Sequence, residues 1–230
     1  MATVLITGTN RGLGLEFVSQ YVKRGDQVIA TCRNIEIADE LREVRMVHTN
    51  LRLLEMDVLK QESMEKLAKT LKGEAIDIFI NNAGVYGPRG SDFGEVTGRN
   101  WLAVLQVNTV APLLLSQLLI DNFRRGKDRK LIYISSKMGS IDDNKGGGSY
   151  IYRSSKAALN QVVKSLSIDL ADEGFTTAVL HPGWALTDMG GPNALIDPET
   201  SVRGMIKVIE GLDKAKSGKF YSYDGKVIPW

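Results

Sequence analysis

Short apolar runs that alternate with helix-like segments are the feature of this 230-residue chain that most constrains its fold. Continuous apolar runs, such as residues 4–6 and 130–135, are typical of strands that are buried on both faces of a parallel sheet. Parallel strands need long crossover connections, and helices usually supply them. The pattern therefore predicts an α/β fold, with a doubly wound parallel sheet of about seven strands and helices on both faces.

The same pattern predicts where the elements lie along the chain. Strands are expected at residues 4–6, 27–32, 51–57, 76–80, 130–135, 177–181 and 220–223. Helices are expected at residues 15–23, 61–71, 101–123, 152–172 and 198–212. The length suits one domain and no linker interrupts the alternation, so we expect residues 1–230 to form a single domain.

Composition limits the classes of partner. The net charge of +2 is too small to indicate binding to nucleic acid or to an anionic membrane. No uninterrupted apolar run reaches the roughly 18 residues of a membrane span, and residues 1–7 lack the basic start of a signal peptide. Cys32 has no cysteine partner, and His48 and His181 are far apart, which makes a metal site improbable. We therefore expect a cytoplasmic protein without a metal.

A glycine-rich loop lies between the first predicted strand and the first predicted helix. Its spacing, Gly-x-x-x-Gly-x-Gly, places glycines at positions 8, 12 and 14. Glycines there let a pyrophosphate approach the backbone amides at the start of the helix. No Gly-Lys-Ser/Thr follows, so the loop is not a Walker loop. The loop predicts dinucleotide binding, and an ordinary tight turn is the alternative.

The end of the second predicted strand indicates which dinucleotide is bound. An acidic residue there would bond the ribose 2′-hydroxyl of NAD. This strand instead ends at Arg33 and Asn34, and Arg33 is a planar cation suited to a phosphate. Arg11, in the glycine loop, is a second candidate cation. Either arginine could be a solvated surface charge, but together with the missing acid they favour NADP(H).

Tyr152 and Lys156 form a candidate acid/base pair. They are four residues apart, just over one helical turn, so both side chains project from the same helix face. An ammonium beside a phenol favours the phenolate and lowers its pKa from about 10. Such a tyrosine can protonate a carbonyl or deprotonate an alcohol. Taken alone, the pair could also be a half-buried tyrosine beside a solvated lysine.

Further motifs follow in a fixed order. They are Asn81-Asn82-Ala83-Gly84, Asn108, Ser135-Ser136, Tyr152-x-x-x-Lys156 and Pro182-Gly183. With the glycine loop, this order resembles the short-chain dehydrogenase/reductase family, which has a Rossmann fold, over essentially the whole chain. The ending, residues 218–230, is similar to that of the sniffer-type and C-factor-like carbonyl reductases. The resemblance implies an NADP-binding domain.

The resemblance implies a role for each matching residue. In the catalytic set, Asn108 would hold a relay water, Ser136 would bond the substrate oxygen, and Tyr152 would be the acid/base. Lys156 would bind the nicotinamide ribose and lower the pKa of Tyr152. Asp57 would bond the adenine amino group. The implied cofactor-binding residues are Gly8, Asn10, Arg11, Gly12, Leu13, Gly14, Arg33, Asp57, Val58, Asn82, Ala83, Gly84, Tyr152, Lys156, Pro182, Gly183 and Thr187.

The implied activity is NADPH-dependent carbonyl reduction, with a hydride passing between nicotinamide and a small-molecule ketone, aldehyde or quinone. A homodimer or homotetramer is implied as well. A non-catalytic NADP-binding regulator is the alternative, although the complete catalytic set argues against it. An extended nucleotide-sugar epimerase would be longer and have different glycine spacing.

One interval departs from the family pattern. Ser136 and Tyr152 are about three residues farther apart than usual, and the surplus lies in residues 141–148. Ser135, Ser136 and Ser140 therefore all stay candidates for the substrate hydrogen bond, with Ser136 the best match. Apolar residues that could line a pocket suggest a hydrophobic or aromatic substrate, although ordinary loop packing would also explain them. These residues are Met138, Trp184, Leu186 and Met189.

Overall fold

The computed structural model describes residues 1–88 and 91–230 and contains a seven-stranded parallel sheet in the order β3-β2-β1-β4-β5-β6-β7. The strands are β1 (Thr3–Thr7), β2 (Gln27–Cys32), β3 (Leu51–Glu55), β4 (Ile78–Asn81), β5 (Lys130–Ile134), β6 (Thr176–His181) and β7 (Lys219–Ser222). The helices are α1 (Gly12–Lys23), α2 (Asp39–Val47), α3 (Gln61–Thr70), α4 (Gly98–Leu105), α5 (Ala111–Leu118), α6 (Ile120–Arg125), α7 (Tyr150–Asp169) and α8 (Pro198–Glu210). This architecture confirms the predicted doubly wound α/β fold.

The strand order reverses between β1 and β4. From β1 the chain winds outward to β3, and it then returns to pair β4 with the other side of β1. The connections that follow β1 and β4 run in opposite directions across the sheet. This divergence opens a crevice at the carboxyl ends of the two strands. The glycine loop follows β1 and the Asn-Asn-Ala-Gly motif ends β4, so both motifs lie at this crevice.

The core has two layers because successive strand residues point to opposite faces of the sheet. Val4 and Ile6 pack on the face covered by α1 and α8, while Leu5 packs on the face covered by α3, α5 and α7. All three side chains are fully buried. Each such burial contributes roughly 1.5–3 kcal/mol, so the strands that carry the crevice are held firmly.

The predicted helix at residues 101–123 is confirmed as far as Leu118, where it breaks, and it contains an irregular turn. The segment forms α4, a π-helical turn over Gln106–Val110, α5 and α6. By length and composition, the stretch Gly98–Leu118 could cross a membrane. Its residues Ala111 and Leu115 are buried in the core, which identifies α5 as an interior helix of this fold.

Helix α2 was absent from the sequence prediction. It has a mostly polar composition, and Leu41 is its one fully buried residue. A helix that contributes a single side chain to the core produces no apolar periodicity, which is the signal on which the prediction depended.

Candidate functional site

The glycine loop is folded tightly onto itself at the start of α1. A Cβ atom on Gly14 would lie 2.1 Å from the carbonyl oxygen of Gly8 and 2.5 Å from Nδ2 of Asn82. Any side chain at position 14 would push these groups apart. Because the first amides of a helix have no partner within it, the loop presents hydrogen-bond donors at the crevice.

Asn82 joins this loop to the end of β4. Its Nδ2 donates to the carbonyl oxygens of Thr7 and Gly8, each at 3.0 Å. In return, the Thr7 hydroxyl accepts from the backbone amides of Asn82 and Ala83, at 3.1 and 3.0 Å. The Asn-Asn-Ala-Gly motif therefore fixes the glycine loop, which goes beyond the capping of a local turn.

The two candidate phosphate-binding arginines differ in their surroundings. Arg11 is paired with Asp188 at 2.8 Å, and both side chains are mostly exposed. An exposed pair of this kind contributes about 0–1 kcal/mol, so Arg11 can exchange Asp188 for a phosphate at little cost. Arg33 is exposed directly after β2. Neither position is a buried structural charge.

Asp57 follows β3 and has a local structural role. Its Oδ1 accepts from the backbone amide of Leu59 at 3.0 Å, and its own amide donates to the Ser63 hydroxyl at 2.9 Å. These bonds shape the turn that contains Val58 and precedes α3. One carboxylate oxygen of Asp57 is thus used in a local turn.

Tyr152 and Lys156 lie on the buried face of α7. They are 7% and 4% exposed, so Lys156 is not a solvated lysine. Its Nζ donates to the carbonyl oxygen of Ile134 at 2.9 Å and lies 5.8 Å from the centre of the Tyr152 ring. Burial lowers the pKa of Lys156 to about 8.

The expected lowering of the Tyr152 pKa is wrong for the protein's own groups. Burial raises the pKa of Tyr152 to about 12, and a hydrogen bond with the Ser136 hydroxyl only partly offsets this rise. The Lys156 ammonium is directed to the Ile134 carbonyl, so desolvation of the phenolate dominates. At neutral pH the phenol is therefore protonated.

The three candidate serines differ in their hydrogen-bond partners. Ser135 is buried and donates to Oδ1 of Asn160 at 2.8 Å. Ser140 is buried and donates to the carbonyl oxygen of Trp230 at 3.1 Å. Ser136 is half-buried, accepts from the amide of Met138 at 3.2 Å and interacts with Tyr152. Of the three serines, Ser136 is therefore the one that affects the phenol, whereas Ser135 and Ser140 are bonded elsewhere.

Asn108 lies in the π-helical turn, a feature that often marks functional sites. Its Oδ1 accepts from the Val85 amide at 2.9 Å, and its Nδ2 donates to the Val85 carbonyl and the Ser155 hydroxyl at 2.8 and 3.0 Å. A Cβ on Gly84 would lie 3.3 Å from Oδ1 of Asn108 and 3.4 Å from Nζ of Lys156. The glycine thus leaves space between these two groups.

A cavity of about 510 Å³ adjoins this group of residues. Three of the four apolar side chains suggested by the sequence line it, namely Met138, Trp184 and Met189. Leu186 lines a separate cavity of about 430 Å³ together with Thr187. Tyr86 also lines the larger cavity, and it was missed by the sequence analysis. The signal available was its position, two residues after the Asn-Asn-Ala-Gly motif.

The remaining predicted residues lie after β6 or at the start of α1. Pro182 and Gly183 follow β6, and the Pro182 carbonyl accepts from the Ser201 hydroxyl at 2.5 Å. A Cβ on Gly12 would lie 3.4 Å from Cγ2 of Thr187, which places Thr187 against the start of α1. Asn10 and Leu13 belong to the same loop and helix start. In residues 1–88 and 91–230, no cluster of three metal-ligating side chains occurs.

Comparison with known proteins identifies the family. The sequence profile described as short chain dehydrogenase matches residues 2–195. The chain belongs to the short-chain dehydrogenase family. Among relatives in this family, the C-signal of Myxococcus xanthus is 44% identical over 155 residues, which cover 67% of this chain and 93% of that protein.

Two solved structures of short-chain dehydrogenases match the fold over its whole length. The carbonyl reductase Sniffer of D. melanogaster is 36% identical with a TM-score of 0.95, and the match covers 100% of both chains. The NADPH-bound carbonyl reductase from chicken fatty liver is 35% identical with a TM-score of 0.93, over 100% of this chain and 99% of that one. These likenesses support a short-chain dehydrogenase of the carbonyl reductase type.

Proposed function

We propose that this protein is an NADPH-dependent carbonyl reductase for apolar ketones, aldehydes or quinones, with Tyr152 as its proton donor. One observation carries the proposal. The buried, protonated Tyr152 phenol interacts with the Ser136 hydroxyl and has Lys156 one helical turn away. Its ring stacks on Tyr86, which lines the 510 Å³ cavity together with Met138, Trp184 and Met189. This arrangement suits the binding and protonation of a carbonyl oxygen.

The residues at the crevice fit NADP(H). The absence of a side chain at Gly14 lets the glycine loop close against Asn82, and the start of α1 then faces the crevice with its free amides. Arg33 is exposed directly after β2 and would be free to bind a 2′-phosphate, and Arg11 is held only by an exposed ion pair. The NADP-containing carbonyl reductase neighbours support the same cofactor.

The proposed carbonyl reduction depends on the protonation states of Tyr152 and Lys156. When bound, NADPH supplies the hydride that reduces the carbonyl carbon. Ser136 and Tyr152 donate hydrogen bonds to the carbonyl oxygen, and Tyr152 then releases its proton to it. Burial favours the neutral phenol, so Tyr152 is in the donor form at neutral pH. Lys156 would hold the nicotinamide ribose, and its ammonium would stabilise the phenolate left behind.

After the reduction, Tyr152 would regain its proton through the space beside Gly84. Oδ1 of Asn108 and Nζ of Lys156 both border this space, which contains no side chain of its own. A water molecule held there by Asn108 would pass a proton to Lys156 and then to Tyr152. The tight bonds between Asn108 and Val85 fix one side of this path.

The proposal also covers the oligomeric state of the protein and its location in the cell. Apolar side chains are exposed along α4, the π-helical turn, α5 and α7, which supports a homodimer or homotetramer formed through these helices. They are Trp101, Leu102, Val110, Leu118 and Ile168. The lone buried Cys32 suits the reducing cytoplasm, where NADPH is available.

A carbonyl screen tests this function. Purified protein is incubated with NADPH and a panel of ketones, aldehydes and quinones, and the loss of NADPH fluorescence is followed. We expect turnover of apolar carbonyl compounds, with NADH much less effective. Tight NADPH binding without turnover of any compound would contradict the proposal and favour the regulatory alternative.

A further inference from the structure

We propose that Tyr86 is a positioning residue that holds the ring of Tyr152 in the orientation needed for proton transfer. This inference rests on the proposed reduction of carbonyl compounds. It concerns a residue outside the motif set, and it is argued from two contacts of Tyr86 and from the bonds that fix its neighbour Val85.

The first contact is a stack between the two tyrosine rings. Their centroids are 4.5 Å apart and their planes differ by 29°. Stacked aromatic pairs contribute about 0.5–1.5 kcal/mol beyond the area they bury. A phenol on a helix can otherwise rotate about its side-chain bonds, so a flat partner on one face restricts the direction of the hydroxyl.

The second contact connects Tyr86 to the start of α7, the helix that carries Tyr152. The Tyr86 hydroxyl lies 3.1 Å from the Ser149 hydroxyl. Ser149 has the left-handed backbone conformation (φ 48°, ψ 40°), which is costly for a residue other than glycine. Its amide donates to Oδ1 of Asp92 at 3.0 Å. Tyr86 and Asp92 together hold this strained residue in place.

The third set of contacts makes Tyr86 itself rigid. Its neighbour Val85 has both backbone groups bonded to the Asn108 side chain, at 2.9 and 2.8 Å. Asn108 is in turn anchored in the π-helical turn and to Ser155. The stacking partner of Tyr152 is therefore fixed by the same asparagine that borders the proton path.

Tyr86 also lines the 510 Å³ cavity, so a substrate whose oxygen is bonded to Ser136 and Tyr152 would lie beside it. Removing the ring would free Tyr152 to tilt and would admit water to its face. The expected effect is on the chemical step, because Tyr86 contacts the proton donor and lies outside the glycine loop and the arginines that hold the cofactor.

Two substitutions test the role of the ring. We expect Tyr86→Leu to lower kcat about tenfold, which corresponds to about 1.4 kcal/mol, with the Kd for NADPH unchanged. Tyr86→Phe keeps the ring and should retain kcat within about threefold. Tyr150→Leu, the same change at an exposed tyrosine on α7, is the matched control. If Tyr86→Leu does not fold, Tyr86→Met replaces it.

A double variant shows whether Tyr86 acts through Tyr152. If it does, adding Tyr86→Leu to Tyr152→Phe should cause no further loss of kcat, because the positioned hydroxyl is already gone. An equal loss in both backgrounds, or wild-type kcat in Tyr86→Leu, would overturn the positioning role and leave the proposed function intact. A Tyr152→Phe variant as active as wild type would overturn both.

Discussion

The buried ammonium of Lys156 predicts a specific pH dependence of stability. Burial lowers the pKa of Lys156 from 10.5 to about 8. In the unfolded chain this lysine regains its ordinary pKa, so between pH 8 and 10.5 the unfolded state binds more protons than the folded state. The free energy of unfolding therefore rises with pH across this window.

The size of the effect follows from the two pKa values. A shift of about 2.5 units corresponds to about 3 kcal/mol when the whole window is crossed. Between pH 7 and pH 9.5, about 2 kcal/mol of this should be gained. The variant Lys156→Met has a similar length and no charge, so it should lack this contribution.

Urea unfolding of the protein without added cofactor measures the effect. The difference in unfolding free energy, wild type minus Lys156→Met, should increase by about 2 kcal/mol from pH 7 to pH 9.5. Lys164→Met, the same change at an exposed position of α7, should keep the wild-type dependence. Parallel curves for wild type and Lys156→Met would refute the reasoning, because they would show that burial does not disfavour the charged lysine.

Three further predictions concern the cofactor and the loops. NADPH should bind at least about tenfold more tightly than NADH, as measured by calorimetry with both cofactors. Arg33→Asp should shift this preference towards NADH. Equal Kd values in the wild type would argue against a phosphate site. Gly14→Ala should destabilise the protein by about 1–3 kcal/mol and weaken NADPH binding, because its Cβ would overlap the Gly8 carbonyl. Gly98→Ala is the control, because there is open space around Gly98 and the change should be tolerated. Thermal unfolding and binding assays compare the two variants. The amides of Ile141 and Asp142 donate to the Trp230 carbonyl, whereas residues 143–148 are mostly exposed and bonded through local turns. Residues 143–148 should therefore exchange their amide hydrogens rapidly, and strong protection there would count against a mobile insert.

The sequence predicted the sheet and the glycine loop because both depend on local patterns. Continuous apolar runs identified the strands, and the glycine spacing located the loop after β1. The order of the motifs then implied, through the family resemblance, that Asn82, Tyr152 and Lys156 belong to the site. The structure confirms the parallel sheet and brings these residues together at the carboxyl ends of its strands.

Features that depend on tertiary contacts were not predictable. The π-helical turn at Asn108 has no apolar signature, and it exists where the asparagine side chain meets the Val85 backbone. The raised pKa of Tyr152 results from burial by distant segments, whereas the four-residue spacing to Lys156 suggested the opposite direction. The stacking of Tyr86 on Tyr152 joins positions 66 residues apart and became visible only in the fold.

The rate of carbonyl reduction by Tyr152→Phe tests the central claim most directly. This change removes only the phenolic hydroxyl, so folding and NADPH binding should be almost unaffected. Because the proton donor is lost, kcat for the best carbonyl substrate should fall at least about 100-fold. Lys156→Ala should lower kcat and also weaken NADPH binding, which separates the two roles. A Tyr152→Phe enzyme that reduces the substrate at close to the wild-type rate would contradict the account.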